Sequence, residues 1–445
     1  MQTNSFSEIM ERTDVSRGSS LAGPFGCPVF SRNRRNRVSA VTVRATIPFS
    51  RGVARLSQPL ASLPPYVFAE LDRLRTDARR RGVELTDLGI GSPDRPTPPG
   101  VIDALQRAAS DPTTHGYPPF RGVRAYVEAV GRFMHRRFGV DVDPGREVLA
   151  LAGAKEGIAQ IIAATAGSGD VVLVPEVFYP VYARTAHLAG ADVHWLPMRA
   201  ASGFLADFEA VPRSVLRRAR MLIVNYPNNP TGAVATRDYY ERAVSFAHEH
   251  GLLLVSDLAY SELTYDGFVA PSALEVPGAR EVTIEFHSCS KSFNMAGLRI
   301  GFAVGGTAPI DALAAYRTNV GYGAPAAVQH AAAYALDNAP SLAGPVADGY
   351  RARRDAVASA MRRHGQTIVP ARGAMYLWQA LPNGVDDWTF VRAMLEDAHV
   401  VVTPGSAFGP GGNGYYRLSF VAEPAVLEAA VERMAAACEA RGWRS

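Results

Sequence analysis

S-C-S-K-S-F-N-M-A-G-L-R-I-G-F, residues 288–302, places one lysine, Lys291, among small hydroxyl side chains, with Arg299 and glycines close behind. A surface lysine needs no such company. A lysine whose amine reacts beside a bound phosphate does, because hydroxyls and a guanidinium fork supply donors to a dianion. Apolar runs at 282–286 and 300–304 flank the segment, so this chemistry sits at the end of a strand.

Similar runs recur upstream at 148–151, 171–174, 221–224 and 252–255, most of them separated by helix-like stretches such as 154–166 and 237–250. Short apolar runs alternating with helices predict an α/β fold, a mostly parallel sheet covered on both faces. Ligands of such sheets bind beyond the carboxyl ends of the strands. After about 335 the pattern changes: a long helical stretch at 341–365, shorter strands at 374–378, 400–402 and 416–420, and a closing helix at 425–440. This predicts a smaller α+β domain. The expected organisation is an extension over 1–50, an arm and part of the small domain over 51–100, a large ligand-binding domain over 101–335, and the small domain over 336–445.

The 445 residues, 47% of them hydrophobic, suffice for a large core. A net charge of +4 is too small to imply nucleic acid as a partner. Arg12, Arg17, Arg32, Arg34, Arg35, Arg37 and Arg44 read as a solvated basic tail, and residues 1–50 are expected to be disordered. Their Arg and Ser content resembles a transit peptide, but Glu8, Glu11 and Asp14 argue against one. Cys27, Cys289 and Cys438 are spaced for neither a metal nor a disulfide framework, which fits the cytoplasm. No apolar run approaches the ~18 residues of a membrane helix.

The other unusual residues also follow apolar runs. A-G-A-K-E-G, 152–157, is a glycine turn feeding a helix, where free N–H groups of Ala154 and Lys155 favour an anion. Ser288, Ser290 and Arg299 add donors for the same phosphate. Asp257 closes the run L-L-L-V-S-D, a costly place for an acid unless it has a partner, and a ring nitrogen that stays protonated is one. Tyr260 follows it. In N-Y-P-N-N-P-T-G, 225–232, the rigid turn fixes the Asn229 amide, which suits a phenolate oxygen. One aromatic of F-Y-P-V-Y, 178–182, can stack on a flat ring. Arg417, inside a strand pattern, suits a substrate carboxylate gripped bidentately. These pieces describe one ligand: a flat ring with a phosphate, a protonated nitrogen, an ionised oxygen and an aldehyde. That is pyridoxal 5′-phosphate, with Lys291 holding it as a Schiff base. No metal site is expected.

From about residue 55 to its end the chain resembles the class I/II aminotransferases of the type I pyridoxal-phosphate fold, within them the LL-diaminopimelate aminotransferase-like group. The resemblance rests on L-P-P-Y-V-F-A-E-L-D-R-L (63–74), L-G-I-G-S-P-D-R-P-T-P-P (88–99), G-Y-P-P-F-R-G-V-R-A-Y (116–126), G-A-K-E-G-I, N-Y-P-N-N-P-T-G, S-D-L-A-Y, the opening segment, and V-V-T-P-G-S-A-F-G-P (401–410). It implies an enzyme moving an amino group between an L-amino acid and a 2-oxo acid, with Lys291 forming the Schiff base and then shuttling a proton. It also implies that Asp257 pairs with the pyridinium nitrogen, and that Asn229 and Tyr260 bind the ring oxygen. Tyr179 or Phe178 stacks on the ring. Ser288, Arg299 and the N–H groups of Ala154 and Lys155 hold the phosphate. Tyr117 reaches the phosphate of a second subunit, which implies a homodimer with shared active sites. Arg417, with Gly91 and Asn229, binds the α-carboxylate.

Two positions depart from the pattern. Ala154 stands where relatives often carry serine, and Arg95 where an apolar residue is common. If Arg95 faces the pocket, it favours a polar or acidic substrate side chain; if it faces solvent, it has no such role. Two other activities compete with transamination. The same fold and cofactor support elimination, replacement or carbon–carbon bond formation. A transcription regulator with such an effector domain would need a DNA-binding domain that residues 1–50 do not supply. The substrate itself is not named by the sequence.

Overall fold

The computed structural model describes residues 56–443. The expectations for residues 1–50 lie outside them. The described residues hold twelve strands: β1 (Thr86–Asp87), β2 (Val148–Leu151), β3 (Val171–Pro175), β4 (Asp192–Leu196), β5 (Ala219–Asn225), β6 (Leu253–Asp257), β7 (Thr283–Ser288), β8 (Gly301–Gly305), β9 (Tyr376–Ala380), β10 (Val400–Val401), β11 (Thr403–Pro404) and β12 (Tyr415–Ser419). Seven form one sheet in the order β2-β8-β7-β6-β5-β3-β4. All pairings in it are parallel except those of β8, which runs against both neighbours. A smaller antiparallel sheet has the order β11-β12-β9, and β1 pairs with β10.

Alternating side chains place each strand between two helical layers. Leu149 and Leu151 pack with Ile158, Ile161 and Tyr182 on one face, under helices Ala154–Thr165 and Val181–Leu188. Val148 and Ala150 pack with Val127, Val130 and Phe133 of helix Arg124–Phe138 on the other. The central strands are buried on both faces and therefore read as apolar runs. β4, which the sequence reading missed, is an edge strand with only Leu196 fully buried, so its D-V-H-W-L carries little apolar signal.

This topology gathers the strand ends. β2, β5, β6 and β7 finish at one edge of the sheet. β8 starts there because it is antiparallel, which brings Arg299 to the same edge. Beneath that edge a buried polar cluster ties β6 to β7. Glu285, fully buried, accepts from Ser256 Oγ at 3.0 Å, Ser272 Oγ at 2.6 Å and the Ala273 N–H at 3.0 Å, and His287 Nε2 lies 2.9 Å away. Removing the acceptor strands all four partners out of water. Glu285→Ala is expected to cost about 3–5 kcal/mol, read as a lower urea midpoint. A midpoint within experimental error of the wild type would show that the cluster does not hold the strands.

Candidate active site

A cavity of about 300 Å³ opens at the carboxyl edge, lined by Ala154, Lys155, Tyr179, Asn229, Asp257, Tyr260, Ser288, Ser290, Lys291, Arg299, Arg417 and Gly91 among others. Lys291 lies in a short helical turn, Cys289–Ser292, directly after β7. The Ser288 side chain caps this turn by accepting from the Ser290 N–H at 3.2 Å. The Lys291 amine faces the cavity and donates to the Gly91 carbonyl at 2.6 Å. Burial, with Arg417 and Arg299 nearby, pushes its pKa down to about 7.

Asp257 ends β6, 5% exposed. Tyr182 Oη donates to Oδ2 at 2.6 Å and the Ala259 N–H to Oδ1 at 3.3 Å. Burial raises its pKa to about 6 against the pull of those two donors and of His287. Asn225, at the end of β5, fixes the neighbouring loop: its amide donates to the Asp257 carbonyl at 2.8 Å and accepts from the Asn229 N–H at 3.0 Å.

Arg417 projects from β12, the centre of the small sheet. It donates to Asn229 Oδ1 at 2.9 Å and to the Gly89 carbonyl at 2.7 Å. The guanidinium lies between the rings of Tyr376 and Phe408, 4.3 and 4.6 Å from their centroids. It is 3% exposed, its Nε has no partner, and it forms no ion pair among the described residues. A buried guanidinium in this state lacks an anion. Arg299 stands beside Gly153, whose φ is +98°. A Cβ at Gly153 would sit 2.5 Å from the Arg299 guanidinium, so glycine leaves this cradle open in front of the helix Ala154–Thr165.

Three candidates lie elsewhere. Phe178 is not among the lining residues; it stacks on Trp195 at 5.1 Å, which leaves Tyr179 as the aromatic facing the cavity. Arg95 pairs with Glu423 at 2.9 Å and borders a neighbouring cavity with Pro345 and Tyr350. Tyr117 is 83% exposed and stacks on Tyr322 at 4.5 Å.

Sequence reasoning missed Tyr66, Tyr376 and Asn225, which line the cavity, and Tyr182 behind Asp257. Tyr376 bonds Tyr260 through their hydroxyls at 2.7 Å. One readable signal went unused. Of the 46 Lys and Arg residues only Lys155 and Lys291 are lysines, and both line this cavity. The pKa of Lys155 is lowered by burial, Arg299 and Arg184.

Residues 83–434 match the family model described as aminotransferase class I and II. The chain is 44% identical over 375 residues to the LL-diaminopimelate aminotransferase of Desulforudis audaxviator, covering 84% of this chain and 96% of that one. Among solved structures, substrate-bound BacF from Bacillus subtilis superposes with a TM-score of 0.83 at 35% identity, covering 86% of this chain and 98% of that one. A probable N-succinyldiaminopimelate aminotransferase from Thermus thermophilus gives a TM-score of 0.79 at 40% identity, covering 83% of this chain and all of that one. The cofactor of such enzymes is pyridoxal 5′-phosphate. The residues fit it: an open cradle at Gly153 and Arg299 for a phosphate and a buried acid for a ring nitrogen, while Arg417, without an ion pair among the described residues, fits the carboxylate of an amino acid.

An amine with a pKa near 7 is mostly neutral above that pH, whereas an ordinary lysine stays protonated until about 10.4. In the cofactor-free protein, labelling of Lys291 by an amine-reactive reagent should therefore rise through pH 7 and level off by about pH 8.5, as read by peptide mass spectrometry. A rate still climbing at about pH 10 would contradict the burial argument.

Proposed function

The chain belongs to the class I and II aminotransferases, and we propose that its amino donor is an L-amino acid whose far end carries a second carboxylate, LL-diaminopimelate first among them. The observation that carries this is a cluster of cations. Lys155, Arg184 and Arg299 converge near Tyr66, with Lys155 and Arg184 set 5.9 and 5.2 Å from its ring, and none of the three makes an ion pair among the described residues. A phosphate accounts for Arg299. Lys155, on the cavity wall, and Arg184, in an adjoining pocket that shares Tyr66, remain.

Bound in the cavity, pyridoxal phosphate supplies an aldehyde that takes up the amino group and a protonated ring that accepts the electron pair released at Cα. The chain's residues do the rest. Arg417, with the Asn229 amide beside it, grips the α-carboxylate and aims the Cα–H bond. Lys291, neutral at working pH, removes the Cα proton at Nζ and returns it when the amino group is passed on. Asp257 supplies the negative partner for a ring nitrogen, Asn229 and Tyr260 face the ring oxygen, and Tyr179 covers the ring. Ser288, Ser290, Arg299 and the N–H groups of Ala154 and Lys155 hold the phosphate, without the hydroxyl that a serine at 154 would add.

The partner is proposed to be a second copy of this chain. Tyr117, Tyr322 and Phe120 form an exposed aromatic ladder, with centroids 4.5 and 5.5 Å apart, and a homodimer would cover it and let Tyr117 serve the neighbouring site. The division into an arm over 51–100, a large domain over 101–335 and a small one over 336–445 is retained as part of this reading, supported by the separation of the seven-stranded sheet from the three-stranded one and by the pairing of β1 with β10. No helix of the described residues is long and apolar enough to cross a membrane. A cytoplasmic site is supported by Cys289 and Cys438, both free thiols.

A donor screen with 2-oxoglutarate and other 2-oxo acids should find LL-diaminopimelate used and glutamate formed. Lys291→Ala should lose about 10²–10⁴ in rate and no longer retain the cofactor after borohydride treatment. Lys155→Met should raise KM for the dicarboxylic donor about tenfold while kcat for a monocarboxylic donor changes little. Equal KM for both donor classes in the wild type would sink the proposed substrate.

A further inference from the structure

Asp257 is read above as the acid that faces the cofactor ring, and the inference here rests on that reading. Something must keep this acid ionised and aimed. The carboxylate is almost wholly out of water, and an unassisted buried acid takes up a proton. On its buried side the phenols of Tyr182, Tyr179, Tyr240 and Tyr376 lie close, with His287 the cationic pull on it from the protein, while Lys155, Lys291, Arg299 and Arg417 line the cavity it faces.

We propose that Tyr182 is the positioning residue for Asp257: its hydroxyl holds the carboxylate in the ionised form and fixes which oxygen faces the cavity. The geometry supports this in three ways. The 2.6 Å separation lies in the range of a charge-assisted bond between a hydroxyl and an ionised oxygen. Tyr182 is fully buried in the helix Val181–Leu188 and does not line the cavity, so its hydroxyl reaches the cavity through Asp257. It claims Oδ2, while Oδ1 receives only the 3.3 Å bond from Ala259 and keeps room for a cationic donor.

A phenol suits the task. Burial pushes the Tyr182 hydroxyl well above its ordinary pKa, so it stays a donor throughout the working range. The stretch F-Y-P-V-Y thus supplies two functions: Tyr179 faces the ring, and Tyr182, three residues on in the helix, stands behind the acid. Their own rings meet edge to face at 6.1 Å.

The test is the dissociation constant of pyridoxal phosphate for the purified cofactor-free protein, by absorbance titration from about pH 5.5 to 8.5. Four proteins are compared: wild type, Tyr182→Phe, Asp257→Asn and the double variant. Tyr182→Phe should weaken binding about tenfold and move the midpoint of the acid-side loss of affinity up by about one pH unit. On the Asp257→Asn background the same substitution should change neither. The double variant carries no buried charge and keeps the test open if Tyr182→Phe alone misfolds. The proposal is overturned by wild-type affinity and midpoint in Tyr182→Phe, or by an added loss in the double variant, which would mark a purely structural role. Asp257→Asn binding as tightly as wild type would instead overturn the reading of Asp257 itself.

Discussion

Like charges crowd one cavity, and the rest of the site answers to that. Lys155, Lys291, Arg299 and Arg417 line it, and Asp257 is the one acid among the lining residues. Two unit charges about 4 Å apart repel by about 4 kcal/mol at the effective dielectric of a site near the surface. A protein can relieve such crowding by losing a proton or by binding an anion. An arginine cannot lose its proton in this range, so the lysine does. Burial first, and the nearby Arg417 and Arg299 after it, lower the pKa of Lys291, while Arg417 stays without an ion pair among the described residues.

Lys291 and Arg299 share one segment, and the fold brings Lys155 and Arg417 to them from parts of the chain distant in sequence. Parallel strands deliver Asn225, Asp257 and Ser288 to one edge, and the reversed β8 delivers Arg299 from the opposite chain direction. Arg417 arrives from a different sheet and is held by aromatic faces rather than by a carboxylate. Held in that way, it keeps its charge free for a ligand. A salt bridge to the protein would have satisfied Arg417 and removed its use. The buried Glu285 cluster does the opposite work below the edge, where both carboxylate oxygens are satisfied by the protein and β6 is tied to β7.

Sequence reading works best where function forces a local pattern. Lys291, Asp257, Asn229 and the turn at 152–157 stand beside apolar runs, and all line the cavity. It is weaker where position depends on packing. Phe178 and Tyr179 are adjacent, and only the turn into the helix Val181–Leu188 decides which ring faces the cavity. Arg95 could be weighed either way until Glu423, far off in the chain, claimed it. Tyr66, Tyr376 and Tyr182 could not be assigned a place because a single tyrosine carries no spacing signal. Their roles come from contacts between segments distant in sequence.

The choice between the two basic residues carries the last step. Where this chain needs only a positive charge it uses arginine, at every such position outside the cavity. Lysine appears where the amine itself matters. At 291 the need is for a group that can be neutral and basic, which a guanidinium cannot be. At 155 the amine fits between the rings of Tyr66 and Tyr179, 5.9 Å from each. Burial, Arg299 and Arg184 all lower its pKa there, a response open to an amine and closed to a guanidinium. The two lysines are thus set apart from the arginines, which make up all the rest of the 46 basic residues, by chemistry rather than by charge.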